Sequence, residues 1–179
     1  EITAELEDFD DIGEVASYIP ELGKVDPNKL GMHLTTIDKQ EYSLGDSNEK
    51  FSIQSIAKVL SLTLALKIMG KELWSRVGVE PSGSAFNSLV QLEYEKGVPR
   101  NPFINAGAIV VCDILVSRLE NPKEELLEFI RKASGIDSVD YCSEVADSEK
   151  KTGYRNYALT YFMKSFGNIH NEVETVLDL

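Results

Sequence analysis

The hydrophobic and polar positions divide the chain into a short extended region and a longer helical body. Residues 30–37 and 42–44 flank a polar stretch, and this arrangement predicts a β-hairpin. Residues 55–69 are apolar nearly all round and stop before Gly70, which predicts a helix buried on most sides. Residues 105–119 form a second segment of the same character. The pattern therefore predicts a hairpin followed by buried helices.

Further helices are predicted from signals at their ends. Asn121 and Pro122 supply a cap and a first-turn proline for a helix that reaches about residue 133. Residues 155–166 and 172–179 are predicted to be helical as well. Because an isolated hairpin is marginally stable in water, it needs more strands beside it, and the pattern shows none. We therefore expect an α/β (α+β) fold that lacks strands of its sheet.

The composition limits the classes of partner. The chain has 179 residues, enough for one domain or a large part of one. Its formal net charge is −12, with 30 acidic against 18 basic residues, whereas nucleic-acid binding requires clustered Lys and Arg. Anionic membrane surfaces repel the same charge, and no apolar stretch reaches the ~18 residues that span a bilayer. We expect neither nucleic acid nor a membrane as a partner.

The cysteines and histidines are few and scattered. Cys112 and Cys142 are interpreted as free thiols in a reducing cytoplasm. Neither cysteine forms a metal-spaced cluster with His33 or His170, so we expect no metal and no cofactor. The N-terminal residues lack the basic and apolar parts of a signal peptide. The sequence therefore predicts a cytoplasmic protein.

One of three Ser-x-x-Lys patterns stands out by its surroundings. The patterns are Ser47…Lys50, Ser55…Lys58 and Ser148…Lys151. Only Ser55…Lys58 opens an apolar helix, where both side chains share a face and burial lowers the pKa of the lysine. A lysine of that kind can activate a neighbouring serine as a nucleophile, and a helix N-terminus favours a developing oxyanion. The residues alone leave a second interpretation open, in which Ser55 is a helix cap and Lys58 reaches solvent.

Five segments in order resemble the serine-dependent glutaminase family. They are residues 13–20 (Gly-Glu-Val-Ala-Ser-Tyr-Ile-Pro), 51–58 (Phe-Ser-Ile-Gln-Ser-Ile-Ala-Lys), 80–88 (Glu-Pro-Ser-Gly-Ser-Ala-Phe-Asn-Ser), 100–109 (Arg-Asn-Pro-Phe-Ile-Asn-Ala-Gly-Ala-Ile) and 148–156. The resemblance implies the fold of serine β-lactamases and penicillin-binding proteins, in which a helical lobe packs against a sheet. It implies hydrolysis of L-glutamine to L-glutamate and ammonia, with Ser55 as the nucleophile and Lys58 as the general base or proton shuttle.

The same resemblance implies a set of substrate-binding residues. They are Tyr18, Ser55, Asn105, Glu149 and Asn156. A carboxylate suits the free ammonium of glutamine, and asparagine N–H groups suit its carboxylate. Each residue also has an ordinary interpretation, since Glu149 alone would be a solvated acid, Asn105 and Asn156 helix caps, and Tyr18 a packing residue.

The resemblance also implies what lies outside this chain. Residues 1–179 match the N-terminal portion of a single glutaminase catalytic domain, without the family's later tyrosines and its Lys-Ser-Gly strand. We therefore expect this chain alone to be inactive and poorly stable, since it leaves sheet edges unpaired and lacks an oxyanion donor. Family membership further implies a homo-oligomer, a dimer or a tetramer.

Other functions stay open at this point. A penicillin-binding or β-lactamase-like acyltransferase would keep the fold, although the binding residues suit a free amino acid better. A binding or assembly module is a non-enzymatic alternative. The scattered histidines do not favour a Ser-His-Asp hydrolase, and no nucleotide-binding loop supports an ATP-driven amidotransferase.

Overall fold

The computed structural model describes residues 13–83, 85, 86 and 88–179. The chain divides into two compact units, Glu1–Phe51 and Ser52–Leu179. The first unit is built around a hairpin, and the second contains all the helices longer than one turn in the described residues.

The first unit contains the predicted hairpin. Strand β1 (Gly31–Thr35) pairs antiparallel with strand β2 (Glu41–Gly45), and every residue of both strands is exposed. Gly45 has a φ of 58°, and a Cβ there would lie 2.1 Å from the Leu30 carbonyl oxygen. Only glycine fits that position without displacing backbone. A 3-10 turn, Leu22–Lys24, precedes the hairpin. The described residues form no strand besides β1 and β2.

The second unit is a helical body. Its helices are α1 (Ala57–Met69), α2 (Val90–Tyr94), α3 (Asn105–Arg118), α4 (Pro122–Ser134), α5 (Ser143–Thr152), α6 (Tyr154–Ser165) and α7 (Val173–Asp178). The 3-10 turns Gln54–Ile56 and Gly70–Ser75 flank α1. Helix α3 lies centrally and packs against α1, α6 and α7. Apolar side chains from these helices form one core.

The predicted helices are confirmed to within a few residues, and two others were not predicted. Gly135 adopts a left-handed φ of 70° and ends α4, as its position after the apolar pattern predicts. Helix α1 ends at Met69, before Gly70 as predicted, and the chain continues as the 3-10 turn Gly70–Ser75. Helices α2 and α5 were missed because α2 is a single short turn and α5 has few apolar residues to mark a period.

A buried polar cluster, the Asp113 network, joins α3 to the segments on either side. It consists of Arg76, Asp113, Asn168 and Asn171. The Asp113 side chain is fully buried and pairs with Arg76 at 2.6 Å. It also accepts hydrogen bonds from the backbone N–H groups of His170 and Asn171 and from the Asn171 side chain. These bonds fix the entry to α7 against α3.

The asparagines extend the Asp113 network. Asn168 donates to the backbone carbonyls of Arg76 and Gly97, and its own side-chain oxygen accepts from Arg76. Among the described residues, no buried side-chain nitrogen or oxygen lacks a hydrogen-bond partner. The signal for this network in the sequence is an aspartate in the middle of an otherwise apolar helix. A buried charge must be paired, and the pattern could not identify the partner.

None of the described helices is long and apolar enough to cross a bilayer.

Candidate active site

Lys58 lies in the first turn of α1, and its ammonium is held by two oxygens, one from the turn before α3 and one from the first residue of α3. Its Nζ donates to the Phe103 carbonyl at 3.1 Å and to Asn105 Oδ1 at 2.8 Å. The same nitrogen lies 5.9 Å from the centre of the Phe86 ring. The side chain is half-buried, and burial lowers the pKa of Lys58, opposed by the negative charge of Glu149.

Asn105 links Lys58 to Asn156. Its Oδ1 accepts from Lys58, and its Nδ2 donates to Asn156 Oδ1 at 3.2 Å. Because a lysine ammonium only donates, it fixes which way the Asn105 amide faces, and that amide in turn fixes Asn156. The Asn156 Nδ2 makes no hydrogen bond to another described residue. The chain of amides therefore ends in a donor that no described residue uses.

Glu149 faces the same cluster from α5. Its carboxylate makes no hydrogen bond and no ion pair to any described residue, although it interacts electrostatically with Lys58. Burial raises the pKa of Glu149, and the positive charge of Lys58 partly opposes that shift. We call Lys58, Asn105, Glu149 and Asn156 the Lys58 cluster. Ionisable groups with pKa values perturbed in this way indicate a candidate functional site.

Ser55 precedes the cluster in the 3-10 turn Gln54–Ile56 rather than in helix α1. Its side chain is exposed, and its hydroxyl makes no hydrogen bond within the described part of the chain, including to Lys58. The capping interpretation fails, because Ile56 is the cap residue of α1 and no side chain caps that end. Hydrogen bonds between catalytic groups are often long without substrate and tighten when it binds.

The capping interpretation also fails for Asn105. Asn105 is the first residue of α3, and its side chain faces Lys58 and Asn156 rather than the helix end. No side chain caps α3, and Asn101 instead holds the turn before the helix, where its Oδ1 accepts from the backbone N–H groups of Phe103 and Ile104. No individual role was predicted from the sequence for Asn101, Phe103 or Phe86. An asparagine before a proline predicts a turn, but it does not predict which backbone carbonyl of that turn points toward Lys58.

Tyr18 belongs to the unit Glu1–Phe51, where it is exposed. Its role in substrate binding stays a prediction. In the matching segment of residues 80–88, Ser84 and Asn87 lie outside the described residues.

The described part of the chain brings no three metal-ligating side chains together. Burial raises the pKa of the Cys112 thiol to about 12, so this cysteine stays protonated at neutral pH. The groups that are placed for chemistry are therefore the serine, the lysine and the polar side chains around it.

Comparison with known families and proteins gives one consistent result. The sequence model of the Glutaminase family matches residues 13–179. A glutaminase of Saccharophagus degradans is 70% identical over 179 residues, which is 100% of this chain and 58% of that protein. A glutaminase of Christiangramia forsetii is 59% identical over 99% of this chain and 58% of its own length. The chain thus spans somewhat more than half the length of these relatives.

Solved structures show the same relationship. The structure of Mglu in its glutamate form aligns with a TM-score of 0.88 at 30% identity, covering 99% of this chain and 41% of that one. The probable glutaminase from Bacillus subtilis, complexed with 6-diazo-5-oxo-L-norleucine, aligns with a TM-score of 0.77 at 33% identity. That match covers 93% of this chain and 50% of the Bacillus chain. The predicted α+β, β-lactamase-like fold is confirmed by these structures.

Proposed function

The chain belongs to the glutaminase family, and from that premise we propose that it carries the nucleophile and most of the substrate-binding groups of an enzyme hydrolysing L-glutamine to L-glutamate and ammonia. The observation that carries the proposal is the Lys58 cluster. Asn105 hydrogen-bonds both the half-buried Lys58 and Asn156. Lys58 also interacts electrostatically with the Glu149 carboxylate, which has no ion-pair partner among the described residues. These groups match both ends of a free amino acid and the proton transfers of amide hydrolysis.

The first half of the reaction forms an ester. The Ser55 oxygen attacks the side-chain carbonyl carbon of glutamine, and its proton passes to the neutral amine of Lys58. The C–N bond then breaks, and Lys58 returns the proton to the departing ammonia. The lowered pKa of Lys58 supports this role, because a lysine accepts a proton only in its neutral form.

The second half releases glutamate. Water attacks the glutamyl ester, its proton passes to Lys58, and the C–O bond to Ser55 breaks as the serine regains a proton. The atoms balance, since one water is consumed and one ammonia and one glutamate are formed. No metal or cofactor enters either step.

The amino-acid end of glutamine has two partners in the cluster. The Glu149 carboxylate pairs with the substrate ammonium, and the unused Nδ2 of Asn156 donates to the substrate carboxylate. Glutamine binding would give Glu149 the ion-pair partner that no described residue provides. Asn105 holds Asn156 in the orientation that exposes this donor. Tyr18 is proposed as a further lining residue, on family resemblance alone.

The test is ammonia release from L-glutamine by the full-length enzyme, measured beside Ser55→Ala. Loss of the nucleophile should reduce kcat to background while the protein stays folded by circular dichroism. Ser47→Ala is the matched control, because Ser47…Lys50 has the same spacing in an exposed stretch. Activity that survives in Ser55→Ala would refute the proposed nucleophile, and a wild-type enzyme without ammonia release would refute the function.

Three broader properties are also proposed. Residues 1–179 form the N-terminal portion of a single catalytic domain, in keeping with the share of the relatives that they span. The enzyme is a homo-oligomer, by family resemblance, which light scattering of the full-length enzyme would test. It acts in the cytoplasm, in keeping with the free thiols of Cys112 and Cys142.

A further inference from the structure

Asn101 is held at three points in the turn that leads into α3. Its Oδ1 accepts from the backbone N–H groups of Phe103 at 3.0 Å and Ile104 at 3.2 Å. Its Nδ2 donates to the Glu80 carbonyl at 3.0 Å. Both ends of the amide are therefore engaged, and the side chain has one orientation.

The bond to Ile104 determines where the Phe103 carbonyl points. The Phe103 C=O and the Ile104 N–H belong to one trans peptide unit, so they point in opposite directions in a common plane. Asn101 binds the N–H at one edge of this peptide, and Lys58 Nζ binds the C=O at the opposite edge at 3.1 Å. A rotation of this peptide would take the carbonyl away from Lys58.

The backbone around Asn101 is also fixed. A Cβ at Gly107 would lie 1.9 Å from the Asn101 carbonyl oxygen, so the turn lies directly on the first turns of α3. On its other side, the Gly78 N–H bonds the Pro99 carbonyl and the Glu80 N–H bonds the Arg100 carbonyl, each at 2.8 Å. The turn therefore has little freedom to move as a whole, and the Phe103–Ile104 peptide is oriented by the Asn101 side chain.

We propose that Asn101 is a positioning residue for catalysis, which aims the Phe103 carbonyl at Lys58 and so holds the Lys58 amine beside Asn105. The inference rests on the proposed function, because it assigns Asn101 a task only if Lys58 transfers protons. Asn101 itself touches neither the substrate-binding groups nor Ser55 among the contacts of the described residues.

The main test compares Asn101→Ala with Asn101→Ser in the full-length enzyme. Alanine removes the acceptor, and we expect kcat to fall about tenfold to hundredfold, since small misplacements of a catalytic group cost that much. The KM for glutamine should change less than kcat, because Asn101 makes no hydrogen bond to Glu149 or Asn156. Serine keeps a short acceptor that forms a related turn, so it should recover most of the lost kcat.

The readouts separate positioning from stability. A purely structural residue would lower the melting temperature and leave kcat per folded enzyme unchanged, and that result would overturn the inference. A rise in KM with kcat unchanged would also overturn it. Wild-type enzyme that releases no ammonia would refute the proposed function, and the inference with it, whereas active wild type beside an equally active Asn101→Ala refutes only the inference.

A second variant covers the case in which Asn101→Ala does not fold. Asn101→Asp keeps both acceptor bonds and adds a negative charge on the far side of the Phe103–Ile104 peptide from Lys58. That charge should raise the pKa of Lys58, as Glu149 already does, and move the acid limb of the kcat/KM profile to higher pH. An acid limb that does not move would show that Asn101 is not coupled to Lys58.

Discussion

Helix α3 contributes a residue to each of two polar clusters. The charged groups of the first cluster form no ion pair with each other, whereas the central carboxylate of the second forms one. At the first residue of α3, Asn105 joins the Lys58 cluster, in which the lysine and Glu149 interact without forming an ion pair. About two turns further along, Asp113 lies at the centre of the Asp113 network. Its carboxylate forms an ion pair with Arg76 and accepts hydrogen bonds from the backbone N–H groups of His170 and Asn171. The first cluster has donors and acceptors that no described residue uses, whereas the Asp113 carboxylate accepts from Arg76, His170 and Asn171.

The pKa directions follow the same division. Burial raises the pKa of Glu149 and lowers that of Lys58, so both groups are pushed toward their neutral forms. Burial would raise the pKa of Asp113 too, but hydrogen bonds from Arg76, Asn171 and His170 outweigh it and hold its pKa below the ordinary value. A buried charge that is fully paired belongs to the scaffold, whereas one left to a future partner belongs to a binding site. The comparison predicts opposite responses to mutation.

The largest effect is expected from Lys58→Met. Removal of a general base should lower kcat by about 10²–10⁴-fold. The free energy of unfolding should fall by less than in Asp113→Ala, because Met keeps the packing of the apolar stem and only two hydrogen bonds to uncharged oxygens are lost. Ammonia release and urea denaturation of the full-length enzyme measure the two effects.

Lys67→Met is the control, since Lys67 is an exposed lysine near the other end of α1. It should leave both quantities unchanged. If Lys58→Met lost stability while keeping its kcat, Lys58 would belong with the scaffold and the comparison would fail.

The opposite pattern is expected from Asp113→Ala. Loss of the carboxylate leaves Arg76 charged and partly buried without its partner, which should lower the free energy of unfolding by about 3–5 kcal/mol. At a temperature where the variant is folded, its kcat should match the wild type. Asp137→Ala, at an exposed position, is the control for stability. A fall in kcat without a fall in stability would place Asp113 in the site.

A smaller effect, on binding, is expected from Glu149→Gln. A charge-assisted hydrogen bond contributes ~1.5–3 kcal/mol, so the KM for glutamine should rise about tenfold to hundredfold while kcat changes less. Glu144→Gln, at an exposed position of α5, should leave KM unchanged. Unchanged KM in Glu149→Gln would contradict the proposed pairing with the substrate ammonium.

The sequence predicted what depends on neighbours along the chain. Cap, proline and glycine signals placed α4 correctly, and the apolar run placed α1 and α3, because helix ends and buried faces are encoded locally. Helix α5, which carries Glu149, was missed because most of its side chains are polar. Glu149 was predicted from the family resemblance, because the hydrophobic periodicity gave no signal for the helix that carries it.

Contacts between segments that are distant in the sequence could not be predicted from local patterns. The pattern marked Ser55 and Lys58, but the partners of the lysine lie 45 and 47 positions further along, at Phe103 and Asn105. Asp113 was visible as an interruption in an apolar helix, yet Arg76 and Asn171 became its partners only through tertiary packing. Pairing of this kind depends on which segments the fold brings together.

The smallest expected effect is a pH dependence of the stability that the Asp113 charge contributes. Because the pKa of Asp113 is lowered by folding, its contribution to stability is fully present above the ordinary value of 3.8 and is lost as pH falls through the lower folded value. Asp113→Asn keeps the shape of the side chain but cannot ionise, so it lacks this contribution at every pH. The stability difference between wild type and Asp113→Asn should therefore be constant near neutral pH and shrink in acid.

Urea denaturation of both proteins from pH 7 down to pH 3 measures this difference. The contributions of other carboxylates with a lowered pKa, such as Asp178, cancel because both proteins contain them. A difference that stayed constant throughout this range would mean that the Asp113 charge does not stabilise the fold, and the contrast between the two clusters would then rest on Lys58 alone.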